Sequence, residues 1–138
     1  MYSVTKEIRF CYGHRLLGHP GTCRHLHGHN ARAIIRLESQ TLDSLGLVVD
    51  FKDIGDYVKS WIDGEIDHTL LLFQDDPLLP LLRAAGERVY EMDANPSAEN
   101  IARLIYEHAR DAGLPISSRG RHSAMAGSRR AGYGAQAR

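Results

Sequence analysis

The sequence of 138 residues predicts a single domain of the α+β class. Near the start of the chain, two segments alternate apolar with polar residues, which is the pattern of half-buried strands. Further along, two segments repeat apolar residues at helical spacing and begin at residues that cap helices well. Because a histidine-rich loop joins the two strands, we expect them to form an antiparallel pair.

The composition is that of an ordinary globular protein, with 43% apolar and 25% charged residues. Lysine and arginine (17) balance aspartate and glutamate (17), so no overall charge favours nucleic acid or an anionic membrane as a partner. The longest uncharged apolar run is too short to span a bilayer, and the N-terminus lacks the features of a signal peptide. We therefore expect a cytoplasmic protein whose two cysteines, Cys11 and Cys23, are free thiols.

The first strand is predicted from Tyr2 to Tyr12, and a loop containing Gly18 and Pro20 follows it. From His27 the chain is predicted to be extended again. One face of each strand is apolar, with Val4, Ile8 and Phe10 in the first strand and Ala31, Ala33, Ile35 and Leu37 in the second. This alternation predicts that one face of the strand pair is buried.

The first helix is predicted to begin after Asp50, whose carboxylate can accept the unpaired N–H groups of the first turn, and to end at Gly64. Its apolar stripe comprises Phe51, Ile54, Tyr57, Val58, Trp61 and Ile62. The second helix is predicted from its cap Ser97 to Gly113. Between the helices, residues 87–92 are predicted to form a third strand.

Residues 117–138 differ in composition from residues 1–116. No acidic residue follows Asp111, whereas five arginines do: Arg119, Arg121, Arg129, Arg130 and Arg138. The segment shows neither a helical nor a strand period. We interpret residues 1–116 as the folded domain and residues 117–138 as a flexible basic tail.

Histidine is the unusual residue type, with eight in the chain. His27 and His29 are two positions apart, so on a strand their imidazoles lie on one face and can approach a single cation. His14 ends the first strand, which a hairpin would bring alongside the second. Three neutral imidazoles suit zinc and leave its fourth position open, as in catalytic sites. Spacing alone does not exclude that His14, His27 and His29 are surface or hydrogen-bonded loop histidines. We expect His19 and His25 to be loop residues of this kind.

Cys23 lies four residues before His27. A thiol beside a divalent cation has a lowered pKa and can act as a base or nucleophile near neutral pH. Alternatively, Cys23 is a fourth zinc ligand or an inert small residue. The other cysteine, Cys11, is expected to pack within its strand. The adjacent Asp67 and His68 suit a proton relay, because a carboxylate can orient an imidazole and stabilise its protonated form.

Five segments occur in an order that resembles the 6-pyruvoyl-tetrahydropterin synthase / 6-carboxy-tetrahydropterin synthase family over residues 4–116. These segments are FCYGHRL (10–16), CRHLHGHN (23–30), GLVVDF (46–51), IDH (66–68) and PSAENIA (96–102). The resemblance implies a T-fold (tunnelling fold), with an antiparallel four-stranded sheet and two helices on one face. It also implies a homo-hexamer of two stacked trimeric barrels, with active sites at subunit interfaces.

The resemblance assigns a role to each candidate site residue. His14, His27 and His29 correspond to the zinc ligands, Cys23 to the catalytic thiolate, and Asp67 with His68 to the proton-relay pair. The implied activity is that of a lyase acting on 7,8-dihydroneopterin triphosphate. Its product would be 6-carboxy-tetrahydropterin, in queuosine biosynthesis, or 6-pyruvoyl-tetrahydropterin. Hydrolysis of a GTP-derived purine, as in the related cyclohydrolases, is a further alternative.

One departure from the family pattern is the absence of any glutamate after Glu107. The family places a glutamate on its last strand, where it anchors the pterin ring. We expect weak pterin binding without it, because a charge-assisted contact contributes about 1.5–3 kcal/mol. The sequence therefore leaves open a catalytically impaired homologue that binds zinc or a pterin-like ligand without turnover.

Overall fold

The computed structural model describes residues 1–117. β1 (Tyr2–His14) and β2 (His27–Ser39) form a long antiparallel hairpin, which confirms the predicted pair. Tyr2 lies opposite Ser39 at one end of the hairpin, and His14 lies opposite His27 at the other. The loop between these strands contains a single 3₁₀ turn, Thr22–Arg24.

Two shorter strands complete a four-stranded sheet in the order β2-β1-β3-β4. β3 (Thr69–Phe73) runs parallel to β1, and β4 (Val89–Met92) runs parallel to β3. The four-stranded α+β architecture is confirmed, but the sheet is mixed, and only the β1–β2 pair is antiparallel as predicted. The physical reason is that a hairpin reverses the chain between β1 and β2, whereas a helical crossover joins β3 to β4 and lets these two strands run in the same direction.

The first helical segment covers residues 51–66 and starts where the sequence predicts. The Asp50 carboxylate accepts the N–H of Lys52 at 2.8 Å, as expected of a cap. α1 (Phe51–Ile54) continues into two π-helical turns, Gly55–Lys59 and Ile62–Ile66, so the segment passes the predicted end, Gly64, by two residues.

Two further helices follow in the chain. The short α2 (Leu78–Ala84) was not predicted, whereas α3 (Ala98–Asp111) has the predicted Ser97 cap, whose hydroxyl accepts the N–H of Asn100. Residues of the first helical segment, of α3 and of one face of β1 and β2 together form the core, including Ile8, Phe10, Ala33, Leu37, Ile54, Val58, Ile62, Ile101 and Ile105. Both long helical segments therefore pack on the same face of the sheet, as predicted.

After α3 the chain turns at Gly113, whose φ is +82°, and runs antiparallel along the outer edge of β2. Ile116 lies opposite Leu37, and the buried Ser117 donates its N–H to the Arg36 carbonyl at 3.0 Å. Apart from Ser117, the predicted basic tail lies outside the described residues. Within residues 1–117, no helix has the length and apolar character needed to cross a bilayer.

Candidate functional site

Three imidazoles meet at the end of the β1–β2 hairpin. His14 is the last residue of β1, and His27 and His29 lie at the start of β2 on the same face. The ring centroids are 4.6 Å (His14–His27), 4.9 Å (His14–His29) and 4.8 Å (His27–His29) apart. One ring nitrogen from each residue lies within 4.8 Å of the others, so the group can hold a metal ion.

Backbone carbonyls fix the protonation of two of these rings. His14 Nδ1 lies 2.6 Å from the Pro96 carbonyl oxygen, and His27 Nδ1 lies 2.7 Å from the His25 carbonyl oxygen. A carbonyl oxygen only accepts hydrogen bonds, so each Nδ1 is the donor and each neutral ring keeps a lone pair on Nε2. The Nε2 atoms of His14 and His27 face one another at 3.1 Å. Two facing lone pairs repel unless a cation lies between them, which is the arrangement that a metal site requires.

Burial keeps His14 neutral. Its side chain is almost fully enclosed, and desolvation, together with the neighbouring His27 and His29, lowers the pKa of His14 to about 4 despite the hydrogen bond to Pro96. A metal ligand must be deprotonated, and His14 meets this requirement at neutral pH without competition from a proton. The donor set therefore fits a divalent cation that prefers imidazole nitrogen.

Cys23 lies in the 3₁₀ turn of the hairpin loop and is partly exposed. Its carbonyl accepts the N–H of Leu16 at 2.8 Å, which ties this turn to the residues that follow His14. Among the described residues, the imidazole group does not include Cys23. A closed four-ligand site is therefore not formed within residues 1–117, and the metal position stays open.

Asp67 and His68 form a second group, and the structure adds Cys11 to it. Asp67 accepts the backbone N–H of Cys11 at 2.9 Å with one carboxylate oxygen, and the other oxygen lies 2.9 Å from His68 Nδ1. The N–H of His68 donates to the Cys11 carbonyl at 2.8 Å. His68 has a φ of +56°, a conformation that residues other than glycine rarely adopt. Two hydrogen bonds to β1 therefore hold the pair in a strained turn.

The pKa values of Asp67 and Cys11 in this second group are shifted in opposite directions and for different reasons. Burial opposes ionisation of Asp67, but the N–H of Cys11 and the His68 imidazole outweigh it and hold the pKa of Asp67 below its usual value. Burial raises the pKa of the Cys11 thiol, and the negative charge of Asp67 raises it further. The carboxylate is thus charged and the Cys11 thiol protonated at neutral pH. The sequence assigned Cys11 to strand packing and missed this contact.

The two groups lie on opposite faces of β1. Side chains alternate along a strand. The His14 side chain therefore lies on the sheet face that packs against the helices, and the Cys11 side chain lies on the opposite face. Cys11, Asp67 and His68 line a cleft of about 730 Å³ together with Arg9 and Arg32. The His68 side chain is 74% exposed in this cleft. The predicted relay pair and the predicted metal ligands are therefore separate groups in one chain.

A buried ion pair beside the imidazoles was also missed by sequence analysis. Arg15, the residue after His14, donates to both oxygens of Asp76, at 2.7 Å and 2.5 Å. The Asp76 side chain is fully buried and also accepts the N–H of Leu78 at the start of α2. The Arg15 guanidinium holds the pKa of Asp76 below its usual value, against the effect of burial. Because Arg15 and Asp76 are 61 positions apart, no local sequence pattern predicts that they form a pair.

Comparison with known proteins identifies the family. The family model described as 6-pyruvoyl tetrahydropterin synthase matches residues 3–124. A curated protein of Rickettsia felis, named 6-carboxy-5,6,7,8-tetrahydropterin synthase, is 42% identical over 104 residues, which is 74% of this chain and 75% of that protein.

Solved structures share the fold. An uncharacterized protein from Wolinella succinogenes superposes with a TM-score of 0.68 at 28% identity, covering 84% of this chain and 89% of that one. The 6-pyruvoyl tetrahydropterin synthase of Caenorhabditis elegans superposes with a TM-score of 0.60 at 15% identity and covers 94% of both chains. At 15% identity, the similarity to the Caenorhabditis elegans protein shows a shared fold alone.

Proposed function

Because the chain belongs to the 6-pyruvoyl tetrahydropterin synthase family, we propose that it is a zinc-dependent lyase acting on 7,8-dihydroneopterin triphosphate. The name of the Rickettsia felis relative favours 6-carboxy-tetrahydropterin as the product, which would place the reaction in queuosine biosynthesis. The alternative product within the same chemistry is 6-pyruvoyl-tetrahydropterin. The observation that supports the proposal most is the group of three imidazoles, in which one ring nitrogen of each residue lies within 4.8 Å of the others.

His14, His27 and His29 would hold the zinc ion. Zinc, when bound, would act as a Lewis acid that lowers the pKa of the substrate's side-chain hydroxyls. Three protein ligands leave room for those hydroxyls, which is the arrangement of catalytic rather than structural zinc sites. The hydrogen bonds from Nδ1 to the carbonyls of Pro96 and His25 would keep both rings oriented while substrate enters and leaves.

Cys23 would move a proton on the substrate side chain. It lies in the loop that connects two of the metal-ligand positions, His14 and His27, and its turn is tied to the segment after His14. This role needs a reduced thiol, which the cytoplasm maintains. Asp67 would orient His68 through Nδ1 and leave its Nε2 to exchange a proton with the substrate.

A complete site would require more than one chain. The relay pair and the imidazole group are on opposite faces of β1, so one chain does not direct His68 at its own metal position. We therefore include in the proposal a homo-hexamer in which a neighbouring subunit supplies Asp67 and His68. Sedimentation analysis of the full chain is expected to give six times the chain mass, and a monomer with full turnover would contradict this assembly.

The second candidate function is a homologue that binds zinc or a pterin-like ligand without turnover. No glutamate follows Glu107, although the family resemblance implies a glutamate on the last strand as the anchor of the pterin ring. Glu99 and Glu107 lie on α3 and do not take that position. The chain pairs with the outer edge of β2 at Ile116, so a last strand would start there.

The test is turnover of 7,8-dihydroneopterin triphosphate by the zinc-loaded full chain, compared with Cys23→Ala. We expect release of inorganic triphosphate, a loss of at least about 100-fold in kcat for Cys23→Ala, and unchanged zinc content. Thr22→Ala, at an exposed residue of the same turn as Cys23, is the matched control and should keep most of the activity. Release of acetaldehyde would identify the carboxy product. Bound zinc with no turnover would support the second candidate instead.

A further inference from the structure

The segment before α3 holds the hydrogen-bond partner of His14. The Pro96 carbonyl accepts the proton on His14 Nδ1 across 82 positions of sequence, and Pro96 itself is buried. The family resemblance includes this segment, PSAENIA (96–102), but assigns no role to its residues or to Asn95, which precedes it. The residues that fix the Pro96 carbonyl therefore decide how the His14 ring is oriented.

Asn95 joins this segment to the end of β1 with its side-chain amide. Its Oδ1 accepts the N–H of Leu17 at 2.8 Å, and its Nδ2 donates to the Leu17 carbonyl at 2.9 Å. Leu17 is three residues after His14, and Asn95 directly precedes Pro96, so both contacts lie beside the Pro96–His14 hydrogen bond. An amide presents one acceptor and one donor side by side, and neither a carboxylate nor an apolar group can satisfy both atoms of the Leu17 backbone.

The same segment is held from the helix side. The Asn95 carbonyl accepts from the N–H of Ser97 at 2.8 Å and from the side-chain amide of Asn100 at 2.8 Å. Asn100 is in the first turn of α3, and Ser97 is the cap of that helix. The Pro96 carbonyl is thus fixed between the end of β1 and the start of α3.

We infer that Asn95 is a positioning residue of the metal site, which acts on His14 through the Pro96 carbonyl. The inference rests on the proposed metal site, and it adds a residue outside the ligand set. The hydrogen bond to the fixed Pro96 carbonyl orients the imidazole and sets its tautomer, so that Nε2 carries the lone pair toward His27. Loss of Asn95 frees the segment to shift relative to β1 and changes the direction of the His14 ring.

The experiment measures metal affinity by chelator competition, together with the visible absorption of the cobalt-substituted full chain. Asn95→Asp and Asn95→Ala are compared with Asp93→Asn, a control in the same segment whose exposed carboxylate pairs with Arg103 at 2.7 Å. We expect about 10- to 100-fold weaker zinc binding and a changed cobalt spectrum for both Asn95 variants. The Asp93→Asn variant should match the wild type in both measurements.

Each outcome has a distinct meaning. If the wild-type chain binds neither zinc nor cobalt, the proposed function fails. If the wild type binds metal and the Asn95 variants show the same affinity and spectrum, the role of Asn95 is overturned while the metal site stands. A purely structural Asn95 would lower the melting temperature without changing the cobalt spectrum. Should both Asn95 variants fail to fold, Asn100→Ala, which removes only the bond to the Asn95 carbonyl, is expected to weaken zinc binding, and wild-type affinity would overturn the inference.

Discussion

Nε2 of His14 and Nε2 of His27 face each other at 3.1 Å, although neither can donate a hydrogen bond to the other while both Nδ1 atoms donate to carbonyls. The antiparallel register places these residues directly opposite one another at the end of the hairpin. Strand pairing alone therefore brings two of the imidazoles together, and the period of two along β2 adds His29 on the same face.

Replacement of His27 by alanine is expected to weaken zinc binding by at least about 100-fold, because loss of an outer-shell partner alone costs up to that factor. His25→Ala is the matched control. The His25 side chain is exposed, and only its backbone carbonyl contacts the His27 ring, so zinc affinity should stay within about twofold of the wild type. Isothermal titration of the metal-free chain measures both values, and equal affinities for the two variants would exclude His27 as a ligand.

Gly13→Ala is expected to destabilise the fold by about 1 kcal/mol, the low end of the usual overpacking cost, because the partly exposed Leu70 side chain must move aside. A Cβ at Gly13 would lie 2.6 Å from Cδ2 of Leu70, which is its partner on β3. The cross-strand partner Gly28 is the control, because a Cβ there meets only the Tyr12 carbonyl at 3.5 Å. Urea unfolding should show Gly28→Ala close to the wild type. The double variant Gly13→Ala/Leu70→Ala should lose less free energy of unfolding than the sum of the two single variants. Strictly additive losses would argue against the contact between the two side chains.

Asp76→Asn is expected to lower the free energy of unfolding by about 2–3 kcal/mol at neutral pH, since it leaves Arg15 without its buried counter-charge. The pKa of Asp76 is depressed in the folded state, so its stabilisation is complete above the pKa of the unfolded chain, about 3.9. It is lost as the pH falls through the folded-state pKa. The difference between wild type and variant should therefore shrink below about pH 4. Asp63→Asn, at an exposed pair with Lys59, should change stability by less than about 1 kcal/mol at any pH.

Alkylation of Cys11 is expected to be slow near pH 8 and to accelerate about threefold or more in Asp67→Asn. Burial keeps the pKa of the Cys11 thiol high, and removal of the nearby negative charge lowers it and raises the thiolate fraction. The rates are measured with iodoacetamide in a Cys23→Ala background, where Cys11 is the only thiol. Asp111→Asn, at an exposed carboxylate on α3, should leave the rate unchanged. An unchanged or slower rate in Asp67→Asn would show that the carboxylate does not act on the thiol.

The metal group could be predicted because its geometry is local. His27 and His29 share a face by strand alternation, and His14 meets them through a single hairpin. The caps Asp50 and Ser97 were predictable for the same reason, since each accepts an N–H only two or three residues further along the chain.

The groups that sequence analysis missed depend on contacts between distant segments. Cys11 meets Asp67 across 56 positions, and Arg15 meets Asp76 across 61. β3 was not predicted because a short apolar run has no period that distinguishes a strand from a helix. Its parallel pairing with β1 makes the sheet mixed and places Asp67 and His68 beside Cys11.

By itself, the sequence determined the α+β class, the family, the hairpin and the three imidazoles, because alternation, capping and motif order are properties of neighbouring residues. The tertiary structure decided the parallel placement of β3, the separation of the relay pair from the imidazole group, and the support of His14 by Asn95 and Pro96. These features depend on which distant backbone groups pair with one another, and the free energy of that pairing belongs to the folded chain as a whole.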